Sequence, residues 1–191
     1  MARKKRIWYP GAQYHIMTRG NRRSDLFEKS EDFIIYLHIL SETKLKYPFK
    51  LYSYCLMDNH VHLQIRTIDK HISFIMQQIN STYSRYFNDE HNMVGHTFQG
   101  RFLAEIIETN TYMLQTNRYI HSNPVKAKMV KYPQDYRWSS YPSYVYNIDE
   151  NLVDVEEFLL GFRDLEAFID FTEDSKIYIR DLEIEAIMEE Y

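Results

Sequence analysis

A chain of 191 residues, 45% hydrophobic and 26% charged, has the balance of a soluble globular protein and enough length to bury a core without staples. No run approaches the roughly 18 apolar residues of a membrane helix, no signal-like apolar stretch follows the basic start MARKKRIWYP, and the single cysteine, Cys55, excludes an internal disulfide. A membrane-spanning helix and a framework of internal disulfides are not expected, and a reducing, cytoplasmic setting is. The net charge of -4 hides a division: residues 1–146 carry 20 Lys and Arg against 12 Asp and Glu, whereas 147–191 carry 3 against 15. The basic part suits a polyanion, since each phosphate contact releases counterions; the acidic part would repel the same ligand. The expected organisation is a body, 1–146, with an acidic, mostly helical extension, 147–191.

In chain order, Gln13–Thr18 is a predicted strand with Tyr14, Ile16 and Thr18 on one side, followed by a basic loop, Arg19–Arg23. A helix is expected from Ser30 or Glu31 to Tyr47, stopped by Pro48. Phe49–Met57 is a second strand, Asp58-Asn59 a short turn and His60–Thr67 the returning strand. A second helix covers Ile72–Asn88, a fourth strand Arg101–Glu108, and a third helix starts at Thr109 or Asn110 and ends near Ser122, with Pro124 just beyond. The order β-α-β-β-α-β is the ferredoxin-like pattern of the α+β class, an antiparallel sheet with helices packed on one face. In the extension, Val153–Phe162, Asp164–Phe171 and Tyr178–Glu190 have helical patterns, and Trp138, Tyr141, Tyr144 and Tyr146 are expected to pin the connecting stretch to the body.

Two places carry chemistry. His60 and His62 flank Val61 on a strand, so both imidazoles point to one face and form the half of a metal site that a strand can supply. Solvated polar residues would give the same spacing. Tyr119 and Asn123 stand four apart on the third helix, so a phenol and an amide share a face. The amide oxygen with two imidazoles makes a mixed set suited to Mg²⁺ or Mn²⁺, and tyrosine can form covalent intermediates. A core tyrosine followed by a helix-ending Asn-Pro is the competing explanation.

Five blocks, in order, together resemble the IS200-like and REP-associated tyrosine transposases of the HUH class. They are Tyr14-His15-Ile16 with Arg19-Gly20-Asn21-Arg22, then Met57-Asp58-Asn59-His60-Val61-His62-Leu63, then Gly95-His96-Thr97-Phe98-Gln99-Gly100-Arg101-Phe102. Arg118-Tyr119-Ile120-His121-Ser122-Asn123-Pro124-Val125 and Tyr136-Arg137-Trp138-Ser139-Ser140-Tyr141 complete the set. The resemblance implies that His60 and His62 ligate a divalent ion, with Asn123 as the third ligand, and that Tyr119 is the nucleophile, Tyr112 being its rival. It implies cleavage of single-stranded, hairpin-forming DNA through a 5′-phosphotyrosine, leaving a 3′-OH, by a monomer or a homodimer. Arg19, Asn21, Arg22, Arg23, Arg101, Lys126 and Lys128 are then expected to meet DNA, and the acidic extension to lie over the basic body and limit non-specific binding. His15 is expected to be a hydrogen-bonded structural residue and Cys55 a core residue. The alternatives are a metal phosphohydrolase using His60 and His62 with a carboxylate base, for which Asp58 is near in sequence but lies in the turn, and a domesticated, non-catalytic nucleic-acid-binding protein on the same fold.

Overall fold

The computed structural model describes residues 7–146, 148, 151–174, 181 and 186. Strands β1 (Gln13–Arg19), β2 (Phe49–Met57), β3 (His60–Thr67) and β4 (Leu103–Ile107) form one sheet in the order β2-β3-β1-β4. Every neighbouring pair is antiparallel, which is the expected ferredoxin-like arrangement. The helices are α1 (Ser30–Lys46), α2 (Ile72–Glu90), α3 (Asn110–Lys126), α4 (Tyr141–Val145), α5 (Val155–Leu159) and α6 (Leu165–Glu173).

Strand alternation sorts the sheet into two faces. Tyr14, Ile16, Tyr54, Leu56, Val61, Leu63 and Ile65 join Tyr36, Leu40, Ile75, Ile79 and Tyr83 of α1 and α2 in the main core. The two helices of the βαββαβ unit thus share one face, as expected, and α3 covers the other, where Cys55 and Met57 pack with Tyr112, Tyr119 and Ile120. A register shift between Leu51 and Ser53 makes Tyr52 an extra residue in β2. The bulge restores the alternation that puts Tyr54 and Leu56 inward and Cys55 toward α3.

Two boundaries differ from expectation. The fourth strand begins at Leu103, not Arg101, because pairing with β1 starts at Leu103 opposite Met17 and Gly100 turns the preceding chain with a φ of +69°. The third helix does not end before Pro124 but runs through it to Lys126. A proline this near a helix end forfeits a single intrahelical bond. The true stop is a Schellman turn: Lys128 adopts a φ of 59°, its N–H reaches Val125 O, and Met129 N–H reaches Pro124 O.

The acidic segment lies on the basic body. Asp154 accepts from Lys44 Nζ (2.7 Å), Lys50 Nζ (2.9 Å) and Leu51 N (2.9 Å). Burial alone would raise the Asp154 pKa, but these donors win and hold the carboxyl below its usual range. Glu157 meets Tyr52 Oη and Arg66 at 2.8 and 2.9 Å. Phe158 and Phe168 are buried with Tyr52, Tyr141 and Tyr144. Trp138 stacks on Phe33 at 4.4 Å, so three of the four aromatics expected to pin the connection do so; Tyr146 is 60% exposed. The expected Tyr178–Glu190 helix lies largely outside the described residues, with Asp181 and Ala186 helical within it. No helix among the described residues is long and apolar enough to cross a membrane.

Phe168 is fully buried and stacked on Tyr144 at 4.7 Å. Phe168→Ala is expected to cost about 3 kcal/mol, the scale for a buried phenylalanine, measured by urea unfolding of the whole chain. A loss below about 1 kcal/mol would mean that the segment is only loosely laid on the body.

Candidate active site

The site begins with the short turn between β2 and β3. His60 opens β3 opposite Met57 on one side and Arg19 on the other; His62 lies between Cys55 and Met17. Both imidazoles therefore project toward α3, with ring centroids 5.0 Å apart. His60 is partly exposed and His62 fully buried.

Hydrogen bonds assign the ring nitrogens. His60 Nδ1 lies 2.7 Å from Asn59 Oδ1. The amide orientation is set by Asn59 Nδ2 donating to Arg23 O at 3.4 Å, so its oxygen accepts and His60 carries its proton on Nδ1. The Nε2 lone pair is then directed away from the turn. His62 Nδ1 lies 2.9 Å from His15 Nε2, while His62 Nε2 is buried without a hydrogen-bond partner. A proton on that Nε2 would leave a buried N–H unmade, costing about 1–3 kcal/mol. The economical tautomer has Nδ1–H donating to His15 and a bare Nε2.

Both imidazoles are neutral near pH 7. Burial, followed by the nearby Arg19 charge, pushes the His60 pKa down to about 4. Burial pushes His62 well below the usual histidine range, helped by His60, His15, Arg19 and Lys126. Neutral rings with an orphaned Nε2 suit a divalent cation, whose ligands must be deprotonated, and the His15 bond is the kind that orients a ligating histidine. Among the described residues no group of three or more His, Cys, Asp and Glu could hold a metal ion. A third donor would therefore be of another type, and the phosphohydrolase alternative that leaned on Asp58 gains no carboxylate here.

Helix α3 brings the tyrosine. Thr109 caps it, its hydroxyl accepting from Tyr112 N at 3.1 Å. Two buried amides dock the helix on the sheet: Gln64 Nε2 donates to Met113 O at 3.0 Å, and Asn117 Nδ2 to Tyr52 O at 3.4 Å. Ser53 Oγ in turn donates to Gln64 Oε1 at 3.0 Å. This docking sets the Tyr119 ring edge-on to both His62 and His15, at 5.7 and 5.9 Å. Lys126 Nζ lies 4.6 Å from the Tyr119 ring centroid. Asn123 Nδ2 donates to Tyr119 O at 2.9 Å, which commits the amide nitrogen and leaves the oxygen as the atom this side chain can offer. The Tyr112 hydroxyl instead donates to Glu105 Oε2 at 2.6 Å.

The expected DNA contacts fall into groups. Arg19 ends β1 beside His60. Asn21, Arg22 and Arg23 form a tight turn in which both arginines are exposed and left-handed, with φ of 54° and 62°. Lys126 and Lys128 sit at the exposed end of α3, although Lys126 also lies 3.7 Å from Asp181, which pairs with Arg118 at 2.5 Å. Arg101 is apart from the imidazoles, in the loop before β4, lining a cavity with α2. His15 exceeds its expected structural role by touching both His62 and Tyr119. A strand register between β1 and β3, which the sequence does not display, was needed to find it. His121 is a core residue, bonded to Ser140 Oγ at 2.7 Å and pushed down by burial to about 3.

The turn is also tied across the sheet edge. Gly20 N–H donates to Asn59 O, and Asn21 N–H to Thr97 O, both at 2.8 Å. A Cβ on Gly20 would stand 1.9 Å from Ser24 O, so no side chain fits there. Gly20→Ala is expected to destabilise the protein by about 2 kcal/mol, as overpacking does, in a denaturant titration. Unchanged stability would show that the basic turn yields at no cost.

The sequence profile of the IS200-like transposases matches residues 9–123. Among solved structures, a REP-associated tyrosine transposase bound to a REP hairpin is similar at 22% identity and a TM-score of 0.66, over 81% of this chain and 90% of that one. A protein of Deinococcus radiodurans R1 named as a transposase is similar more loosely, at 16% identity and a TM-score of 0.44, over 63% of this chain and 97% of that one. No curated protein matches the chain.

Proposed function

Since the chain belongs to the IS200-like transposase family, a family of DNA-processing proteins, we propose that it is a metal-dependent nuclease and strand transferase for single-stranded DNA, with Tyr119 as nucleophile. The observation that carries this reading is the buried, unpartnered His62 Nε2 next to the Tyr119 ring. His60 Nε2, His62 Nε2 and Asn123 Oδ1 are the atoms that would hold a Mg²⁺ or Mn²⁺ ion. Such an ion, when bound, supplies Lewis acidity toward a non-bridging oxygen of the scissile phosphate.

The chain's own residues account for the rest. Tyr119 Oη forms a bond to phosphorus as the bond to the 3′ oxygen breaks. The phenol proton is balanced by the proton gained on that oxygen, so the products are a 5′-phosphotyrosine and a 3′-OH. No bond energy is lost to water, and a second 3′-OH can reverse the exchange and join strands. Lys126 over the tyrosine ring and Arg19 beside His60 provide positive charge where the phosphate carries its negative charge. His15 holds His62 in one orientation.

The hairpin seen with the REP-associated relative supports a hairpin-forming strand as the substrate here, steered by Arg22, Arg23 and Lys128. Lys44, Lys50, Arg66 and Arg118 are already paired with carboxylates of the acidic segment. In our reading that pairing narrows the basic surface open to other DNA. We assign the protein to the cytoplasm.

Purified protein with Mn²⁺ and hairpin-bearing oligonucleotides from the gene's own flanks is expected to form a denaturant-resistant adduct. Tyr119→Phe should abolish it and Tyr112→Phe spare it, while His62→Ala should slow it at least about 100-fold, the scale for losing a metal ligand's contribution to catalysis. An adduct that survives Tyr119→Phe, or forms equally well in chelator, contradicts the proposal.

A further inference from the structure

The basic turn and the imidazole pair meet in one side chain. Asn59 Oδ1 accepts from His60 Nδ1 at 2.7 Å, while Asn59 Nδ2 donates to Arg23 O at 3.4 Å. The Asn59 backbone carbonyl accepts from Gly20 N at 2.8 Å. One residue thus faces the turn with its amide nitrogen and the imidazole with its amide oxygen. The two side-chain bonds are unequal. The bond to His60 is at the short end of the N–H···O range, and the bond to Arg23 lies beyond its usual long end. The amide is held firmly at the histidine and loosely at the turn.

The turn itself is strained. Arg22 (φ 54°, ψ 26°) and Arg23 (φ 62°) are consecutive non-glycine residues in the left-handed region, which L side chains enter at a cost. Arg23 N–H returns to Gly20 O and Ser24 N–H to Asn21 O, both at 3.0 Å, closing the turn around the strained pair. Both guanidiniums are exposed, and among the described residues no carboxylate pairs with either. Lys44, Lys50, Arg66 and Arg118, in contrast, are spent on the acidic segment. The charge available to an incoming phosphate therefore sits on the one strained turn that is bonded to a residue orienting His60.

We propose that this turn is a sensor coupled to the metal site. Phosphates seated on Arg22 and Arg23 settle the turn, draw Arg23 O onto Asn59 Nδ2, and hold His60 with its Nε2 presented to the ion. The inference rests on the metal-dependent nuclease reading above. It makes metal affinity depend on whether a hairpin is engaged. Linkage requires the effect to run both ways by the same factor.

The test uses the full chain, Mn²⁺ and a blunt DNA hairpin from the gene's own flanks, with Mn²⁺ binding read by EPR of the free ion. The blunt end carries no single strand that could bring a scissile phosphate to the ion. Physiological salt, with a Debye length of about 8 Å, screens the stem phosphates. The hairpin is expected to raise Mn²⁺ affinity at least about fivefold, the lower scale for coupled sites, and Mn²⁺ to raise hairpin affinity by the same factor. Asn59→Asp keeps an acceptor for His60 and loses the donor to Arg23 O. It should still bind Mn²⁺, with the factor reduced to about one. Lys128→Gly removes a cation at a left-handed helix-end position that glycine suits; it should weaken the hairpin and keep the factor. A native protein that binds both ligands without coupling, a factor that survives Asn59→Asp, or loss of Mn²⁺ from that variant overturns the sensor and leaves the nuclease reading intact. No binding of Mn²⁺ or of the hairpin by the folded native chain overturns the sensor together with the reading beneath it.

Discussion

Two hydrogen bonds decide what this protein's sheet can offer to chemistry. Asn59 Oδ1 accepts a hydrogen bond from His60 Nδ1–H, and His15 Nε2 meets His62 Nδ1. Each bond removes the same nitrogen from use and leaves Nε2 as the outward lone pair. A histidine pair on a strand has four nitrogens and several tautomers; these partners reduce it to one pair of donors with one orientation. Burial keeps both rings neutral, so the lone pairs persist at physiological pH. The remainder of the site is arranged about that pair.

The nucleophile candidate depends on a different layer. Tyr119 belongs to a helix that does not share the main core, and α3 would be free to slide on the sheet if only apolar contacts held it. Gln64 and Asn117 oppose this, because each donates from a buried amide nitrogen to a carbonyl that it meets in a single register. Ser53 completes the chain of bonds at the bulge in β2. The acidic segment braces the far side of the same helix through Arg118 and Asp181. The position of Tyr119 thus follows from polar groups between helix and sheet together with its packing against Cys55 and Met57.

Much of this was legible in the sequence because it depends on local periodicity. The bounds of β2 and β3 follow from a run of aromatic and apolar residues folded back at the Asp58-Asn59 turn, and the shared face of His60 and His62 from two-residue alternation. The i, i+4 spacing of Tyr119 and Asn123 follows from helical geometry. What escaped was non-local. The pairing of His15 with His62 needs the register of β1 on β3, strands separated by a helix and a hairpin. The continuation of α3 past Pro124 was hidden because a proline near a helix end costs one bond, which the Schellman turn at Lys128 offsets. The seating of Phe158 and Phe168 among Tyr52, Tyr141 and Tyr144 is likewise a tertiary fact, invisible in a segment whose composition is dominated by carboxylates.

The measurement closest to the central claim is the tautomeric state of His60 and His62, read by ¹⁵N NMR of the imidazoles at neutral pH before and after adding Mn²⁺. The account predicts Nδ1–H on both rings in the metal-free protein, and paramagnetic broadening of the His60 and His62 imidazole signals, the two Nε2 included, on addition of Mn²⁺. An Nε2–H tautomer on His62, or broadening that spares these two nitrogens, would contradict it.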